Sequence, residues 1–441
     1  MITLEQKQKF SQSAWLDYLI VTILLFMSGN PAFKGDVRME VYTVLTAGLF
    51  LVLLFTRKEY LLTSRFTVVM FMLSAILVIQ CITFSFWPFH TMLGFLLRLF
   101  IGYAAVRLVK GFPRKYISVM FYTCLISLFF HSFAILHTTT GIDLIRYFRP
   151  LDKIASPEIG FHFFVHNFLY YARVMEGKHP NPFRNSSYFW EPGVFAAYIL
   201  LAIAFLGLMK DKFDKRRYRS ILAVLVITLL TTMSTAGYIL LPLCLLFHLR
   251  AVNLTARHVP KMLGLALLLA LFCAAAYHID FVGEKIREHR DKVAYREPGW
   301  EKTRFGSLVY DLEYIKQRPF FGWGLNDKTR YMFGEGIWSM GNGLSDFTAK
   351  FGLFGLVTVL TCIWAGVYQL TNHNRMLPIL FVLFVVMVLN GEHLLDYSLF
   401  CGLMFLGSAS EHRHTTTCSA RTDPAFTRAW PRQTWREITE S

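Results

Sequence analysis

Long apolar runs, one after another and separated by short charged turns, constrain this chain more than any other feature. A helix needs about 20 residues to cross roughly 30 Å of hydrocarbon. Runs near that length recur at 14–29, 41–56, 66–87, 91–109, 116–138, 189–209, 220–234, 236–250, 261–278, 346–370, 377–392 and 395–409. They predict an all-α polytopic transmembrane bundle of about twelve helices. Only 17% of the residues are charged and 54% are hydrophobic, which leaves too little polar surface for a water-soluble fold, where about 25% charge is usual. The segments on either side of Ser234–Gly237 read as two helices, with one broken helix as the alternative, and the last run is short. The first run, Leu16 to Met27, has the length of a signal peptide. Gly29, Asn30, Pro31 and Phe33 make no small-residue cleavage site, so it reads as a retained helix.

The formal net charge of +16 raises nucleic acid as a partner. The basic residues, however, sit in short connections such as Lys210–Arg219, without the interleaved aromatics that stack on bases, so they read as a topology signal and nucleic acid is not expected. Lys and Arg concentrate in alternate connections: Arg57, Lys58 and Arg65; Arg107, Lys110, Arg114 and Lys115; Lys210–Arg219; Arg250, Arg257 and Lys261; and Arg375. The positive-inside rule then puts both termini in the cytoplasm. Two long loops, 139–188 and 279–345, fall on the opposite side with the turns at Trp87–Pro88, Ser234 and Asn390–Tyr397. Residues 1–409 read as one transmembrane domain, and the polar segment 410–441 as a disordered cytoplasmic tail. Six of the seven cysteines lie in apolar runs, Cys418 is a lone tail residue, and none has CxxC spacing, so neither a disulfide framework nor a metal site is expected.

Chemistry is therefore sought in the two long loops. The first closes with Arg184-Asn-Ser-Ser-Tyr188-Phe-Trp190-Glu191-Pro192-Gly193, directly before an apolar run. Helix capping accounts for Glu191 about as well as catalysis does, but it does not account for Arg184, for which an interfacial arginine beside lipid headgroups is the plain alternative. In the second loop Phe305, Leu308, Val309, Leu312 and Ile315 recur at helical spacing, which predicts an amphipathic helix with Arg304 in its first turn. It stops before Pro319, and Gly322-Trp323-Gly324 follows as a turn that lets backbone approach a ligand closely. Two guanidinium groups from separate loops on one face suit a phosphate or pyrophosphate, since the planar fork binds such oxygens bidentately and stays charged. His162, His166, Tyr170 and Arg173 form one polar stripe, but no third ligand accompanies the histidines, and an interfacial helix explains the stripe better than zinc.

The order of these features resembles the bacterial O-antigen ligase and polymerase superfamily. Arg184 to Pro192 stands ahead of a helix, Arg304 on a helix ending in Arg318-Pro-Phe-Phe-Gly322-Trp-Gly324, and Asn342 ten residues before Gly352-Leu-Phe-Gly355. The resemblance runs from about 184 to 355. It implies a bacterial inner-membrane glycosyltransferase acting at the periplasmic face on undecaprenyl-pyrophosphate-linked glycan donor and acceptor, with no cofactor or metal. Its partners would be those lipid-linked substrates, membrane lipid and a chain-length regulator protein. It gives Arg184 and Arg304, with Glu191, catalytic roles at the departing pyrophosphate, and Tyr188, Trp190, Gly322, Gly324 and Asn342 substrate-binding roles.

Two departures matter. Ligases similar to this family carry a histidine where this chain has Gly341-Asn342, and no histidine occurs between His289 and His373. This favours a polysaccharide polymerase over a ligase. Ser234-Thr235 stands where many members have Ser-Arg. The base stays open among Glu191, Asp346, Glu392 and His393. A flippase or transporter is the competing class, but the chain shows neither two related halves nor a midplane charge relay.

Overall fold

The computed structural model describes residues 4–29, 36–56, 62–142, 184–248, 287–288, 290–296, 300, 303–330, 341–371 and 374–407. The helix expected at 261–278, the stripe from His162 to Arg173, most of the first long loop, parts of the second and the tail from 410 lie outside those residues. Among the described residues all regular structure is helical.

The main helices are α1 (Leu4–Gly29), α2 (Asp36–Thr56), α3 (Ser64–Phe84), α4 (Phe89–Leu108), α5 (Phe112–Thr140), α6 (Pro192–Leu208), α7 (Lys215–Thr231), α8 (Thr235–Leu246), α9 (Arg304–Gln317), α10 (Gly343–Leu370), α11 (Met376–Leu389) and α12 (Ser398–Gly402). α3, α4, the Phe112–Phe133 part of α5 and α10 are long and apolar enough to cross a membrane, and five shorter apolar helices accompany them. This is a multi-pass membrane bundle. Its outer helices keep apolar side chains on the surface, such as Val44, Leu45 and Val52 of α2 and Val68, Phe71 and Ile82 of α3. In lipid those side chains are in their preferred solvent.

α6 is apolar on every side and buried along nearly its whole length, which is the signature of a helix enclosed by others. It packs against α5, α7, α8 and α11. Glu191 precedes it as the N-cap and its far end runs into the basic turn Lys210–Lys212, so the two polar ends of the bundle stand about 25 Å apart at 1.5 Å per residue.

Two of the expected boundaries resolve. The segment around Ser234 is a true break: α7 ends at Thr231, Met233 takes φ +47°, and the Ser234 hydroxyl accepts from Gly237 N–H to start α8. The expected helix at 395–409 is instead a 3-10 turn at Leu394–Asp396, the five-residue α12, and a second 3-10 turn at Leu403–Phe405. These pieces wedge against α4 where Gly102 leaves room: a Cβ there would lie 2.3 Å from the Ser398 carbonyl oxygen.

α10 is broken at Gly352, which takes φ 67° and ψ −176°. The backbone groups freed by the break are paired by the segment just after α9. Trp323 and Gly324 N–H donate to the Ala349 and Lys350 carbonyls at 2.9 and 3.0 Å, and Leu353 and Phe354 N–H donate to those of Pro319 and Phe320 at 2.7 and 3.2 Å. Gln80 of α3 adds donation to the Lys350 carbonyl at 2.8 Å and to that of Phe321. A broken helix is tolerated at membrane depth only when such partners are supplied.

Candidate active site

The segment from Arg184 to Glu191 is folded into the top of the bundle by its own small polar residues. Asn185 Oδ1 accepts from Ser127 Oγ at 2.7 Å and from Ser187 N–H at 3.1 Å, while Asn185 Nδ2 donates to Thr231 Oγ1 at 3.0 Å. Ser187 takes φ 51° to turn the chain. Arg184 Nε donates to the Thr232 carbonyl at 3.3 Å, so this arginine rests on the break between α7 and α8.

Pro192 opens α6 with its fixed φ and missing N–H, both suited to a first helical position. Glu191 stands at the N-cap in extended conformation, φ −155° and ψ 157°, and its side chain makes no capping hydrogen bond. The carboxyl instead lies beside that of Glu392, in the turn after α11. Arg304, capped into the first turn of α9 by Thr303, reaches the same group: its Nη2 lies 2.7 Å from Glu392 Oε1. The three side chains converge over Gly193, where a Cβ would lie 3.0 Å from Glu392 Oε1, 3.3 Å from Arg304 Nη2 and 3.5 Å from Glu191 Oε1. Arg304 also borders the break, since its Cζ lies 3.9 Å and Ala236 Cβ 4.0 Å from the Cβ position of Gly391. Arg184 thus rests on the α7–α8 break, and Arg304 and the first turn of α8 both lie beside Gly391.

Burial, then the neighbouring Glu191 carboxyl, hold the Glu392 carboxyl well above the usual carboxylate range, and the Arg304 guanidinium opposes them. Two neighbouring carboxyls disfavour simultaneous ionisation, and the Arg304 guanidinium offsets part of that cost. The Glu392 side chain is 15% exposed and that of Arg304 36%, so the pair is largely sheltered and its cation is partly open.

A second polar cluster lies beside the first. Asp346 of α10 pairs with Arg330 Nη2, with Lys350 Nζ at 2.6 Å and with His393 Nδ1 at 3.2 Å. Lys350 Nζ also reaches Asp396 Oδ2 at 3.4 Å. Burial works against charge on His393, but the Asp346 carboxylate more than offsets it and its pKa is raised. Asp311 of α9 is fully buried and accepts from Ser345 Oγ at 2.6 Å. Burial pushes its carboxyl up to about 6, with Arg330 lowering it and Asp346 raising it further. Potential metal-ligand atoms of Asp346, His393 and Asp396 lie within 4.8 Å of one another, but the Lys350 ammonium already lies against both carboxylates and supplies the positive charge there.

The remaining expected residues fall around these clusters. Tyr188 is buried, with its ring 4.5 Å from Phe189 and 5.3 Å from Phe26. Trp190 is half-buried with its ring 5.0 Å from that of Tyr397. Asn342 caps α10, its Oδ1 accepting from Leu344 and Ser345 N–H at 3.1 Å each, and its Nδ2 donates to Asn390 Oδ1 at 3.1 Å. The close backbone approach expected of Gly322 and Gly324 is made to α10. Arg318 lies over the rings of Phe84 and Trp323 at 4.4 and 4.8 Å. Phe305 and Leu312 of the α9 stripe are exposed while Leu308, Val309 and Ile315 are half-buried, and Gly306, Ser307 and Asp311 form the face that is buried. Sequence reasoning missed Arg330, Lys350 and Asp311, and the one signal for Asp311 was a carboxylate on the narrow polar side of an amphipathic helix.

Residues 220–360 match the family model described as O-antigen ligase. The match includes most of α7, all of α8 and α9 and the first part of α10, with Arg304 and Asn342, and it excludes Arg184, Glu191 and Glu392. No curated protein matches the chain.

Proposed function

We propose, from the premise that the chain belongs to the O-antigen ligase/polymerase superfamily, that it is a polysaccharide polymerase of the bacterial inner membrane. It would join lipid-pyrophosphate-linked repeat units at the periplasmic face. The observation that carries this reading is Arg304, a partly exposed guanidinium fixed by α9 beside the break that also seats Arg184. A donor pyrophosphate bridging the two arginines would leave its anomeric carbon facing an acceptor sugar hydroxyl. Attack by that hydroxyl forms the new glycosidic bond with inversion, as the bond to the phosphate oxygen breaks and its electron pair leaves with the pyrophosphate. Charge on the leaving group grows in the transition state, and donors fixed at that point lower the barrier without reorganisation.

Asn342 supports polymerase over ligase. Ligases similar to this family carry a histidine at the point occupied here by Gly341-Asn342, and the Asn342 side chain is committed to capping α10 and to Asn390. The ligase reading draws on the description of the matched family. Gel analysis of surface glycan separates the two in a deletion strain complemented with wild type, R184A or R304A. Loss of a polymerase leaves single repeat units, whereas loss of a ligase leaves long polymer on its lipid carrier. Normal long-chain polymer in both variants would refute the arginine clamp.

A further inference from the structure

Arg318, at the end of α9, lies over a pair of aromatic rings. Its Cζ is 4.4 Å from the ring centroid of Phe84 and 4.8 Å from that of Trp323, and these two rings stack on each other at 5.8 Å. Among the described residues no carboxylate forms an ion pair with it, and Lys316 close by is exposed. A guanidinium held by its flat face keeps the N–H groups at its edge for an anion, and a phosphate fits that fork. Against the arginine, a cavity of about 250 Å³ runs between α3 and the turn after α9, lined also by Ile79, Thr83, Phe84, Phe320 and Phe321. Ile79, Phe320 and Phe321 are exposed along it. α3 ends at Phe84 and α4 begins at Phe89, so the cavity lies in the last turns of an apolar span, where hydrocarbon gives way to headgroups. Trp87 and Phe89, exposed and stacked at 5.9 Å, mark the same level, as interfacial aromatics do.

We infer that this groove seats one anionic phospholipid of the surrounding bilayer, with its phosphate on Arg318 and one acyl chain along Ile79, Thr83, Phe320 and Phe321. The occupant follows from a fixed cation joined to an apolar trough at headgroup depth. A soluble anion leaves the trough unfilled, and a neutral chain leaves the cation unpaired. The lipid-linked donor also carries a phosphate head, but Arg304 stands a whole helix away, about 20 Å at 1.5 Å per residue. A donor whose pyrophosphate lies at Arg304 therefore does not bring that group to Arg318. The assignment holds whichever glycan the chain transfers. It also has a structural consequence. Pro319 and Phe320, in the wall of the groove, accept hydrogen bonds from Leu353 and Phe354 N–H beyond the break in α10, and Gln80 of α3 donates to the Phe321 and Lys350 carbonyls. A lipid bound to this folded arrangement, and not to the unfolded chain, stabilises the turn and the break together.

The test uses the full-length protein purified in detergent and titrated with phosphatidylglycerol or phosphatidylcholine of the same acyl chains, with bound lipid counted by native mass spectrometry. The wild type should hold one phosphatidylglycerol in strong preference to phosphatidylcholine. Arg318→Gln should weaken that binding about tenfold or more, the scale of a lost hydrogen bond to a charged group. Thr83→Trp, which leaves the arginine in place and fills the trough from an exposed position on α3, should weaken it as much. Phosphatidylglycerol should raise the melting temperature of the wild type and leave that of both variants unchanged, and the same curves establish that each is folded. Should Arg318→Gln not fold, Thr83→Trp and the preference of the wild type carry the test. Equal binding of the two lipids by the wild type, or undiminished phosphatidylglycerol on either folded variant, overturns the assignment. One-for-one displacement of phosphatidylglycerol by polyprenyl phosphate also overturns it and gives the groove to the tail of the substrate.

Discussion

Glu392 and His393 are adjacent in sequence and belong to two clusters that treat charge in opposite ways. On the His393 side, Asp346 is ringed by Arg330, Lys350 and His393, and Asp311 is tied to Ser345. Asp346 there is met by three cationic partners, and it and Arg330 are almost fully buried, at 5% and 4% side-chain exposure. On the Glu392 side, two acids face each other with one arginine, and that arginine is 36% exposed. A buried ion pair is expensive to break but adds little when formed, so the first arrangement fits a device that holds two helices in register. The second sets two acids beside a partly exposed cation, and perturbed carboxyls of this kind cluster at functional sites.

The largest effect should come from opening the closed cluster. Arg330→Met leaves Asp346 buried with a lost partner, and detergent-solubilised protein should lose about 3–5 kcal/mol in denaturant or thermal unfolding. Stability equal to the wild type would show that Lys350 and His393 suffice. Arg304→Gln should separate the two clusters by readout: polymer formation should fall about 10²–10³-fold, some 3–4 kcal/mol of transition-state stabilisation, with the melting temperature nearly unchanged. A parallel loss of stability would make Arg304 structural.

Asp311 sharpens the comparison through pH. Its folded pKa of about 6 lies above the ordinary value of 3.8, so the folded state holds the proton more tightly than the unfolded state. Its stability contribution is complete below about pH 4 and is lost as pH rises through about 6, with a magnitude on the order of 3 kcal/mol. Asp311→Asn should flatten stability over that window, and an unchanged slope would mean that other groups set it. The smallest effect is Asn342→Ala, a lost cap costing about 1 kcal/mol, which hydrogen exchange at Leu344 and Ser345 would detect. No change in their protection would mean the cap is redundant.

The helices were legible because a membrane span is written in one continuous run. Arg304 in the first turn of α9 and the break near Ser234 were legible for the same reason, as both are local. What the runs conceal is which helix meets which. The pairing of Glu191 with Glu392 joins residues far apart in sequence, and hydropathy says nothing about the partner of either. Apolar periodicity located α9 without telling which face it packs on: Gly306, Ser307 and Asp311 are the residues buried, while Phe305 and Leu312 of the stripe are exposed. The run at 395–409 failed as a spanning helix because closeness to α4 at Gly102, and not hydropathy, sets its shape.

The break at Gly352 has a consequence for how such chains diverge. Residues 319–324 supply backbone partners to both sides of that break, so they complete a helix that begins some twenty positions later. A chimera that imports α10 from a relative without its preceding Pro319–Gly324 turn inherits an open ladder inside the bilayer. Exchange of donor specificity between relatives by loop grafting should therefore succeed only when the boundaries enclose the turn and the break as one cassette, and fail for any junction placed between them.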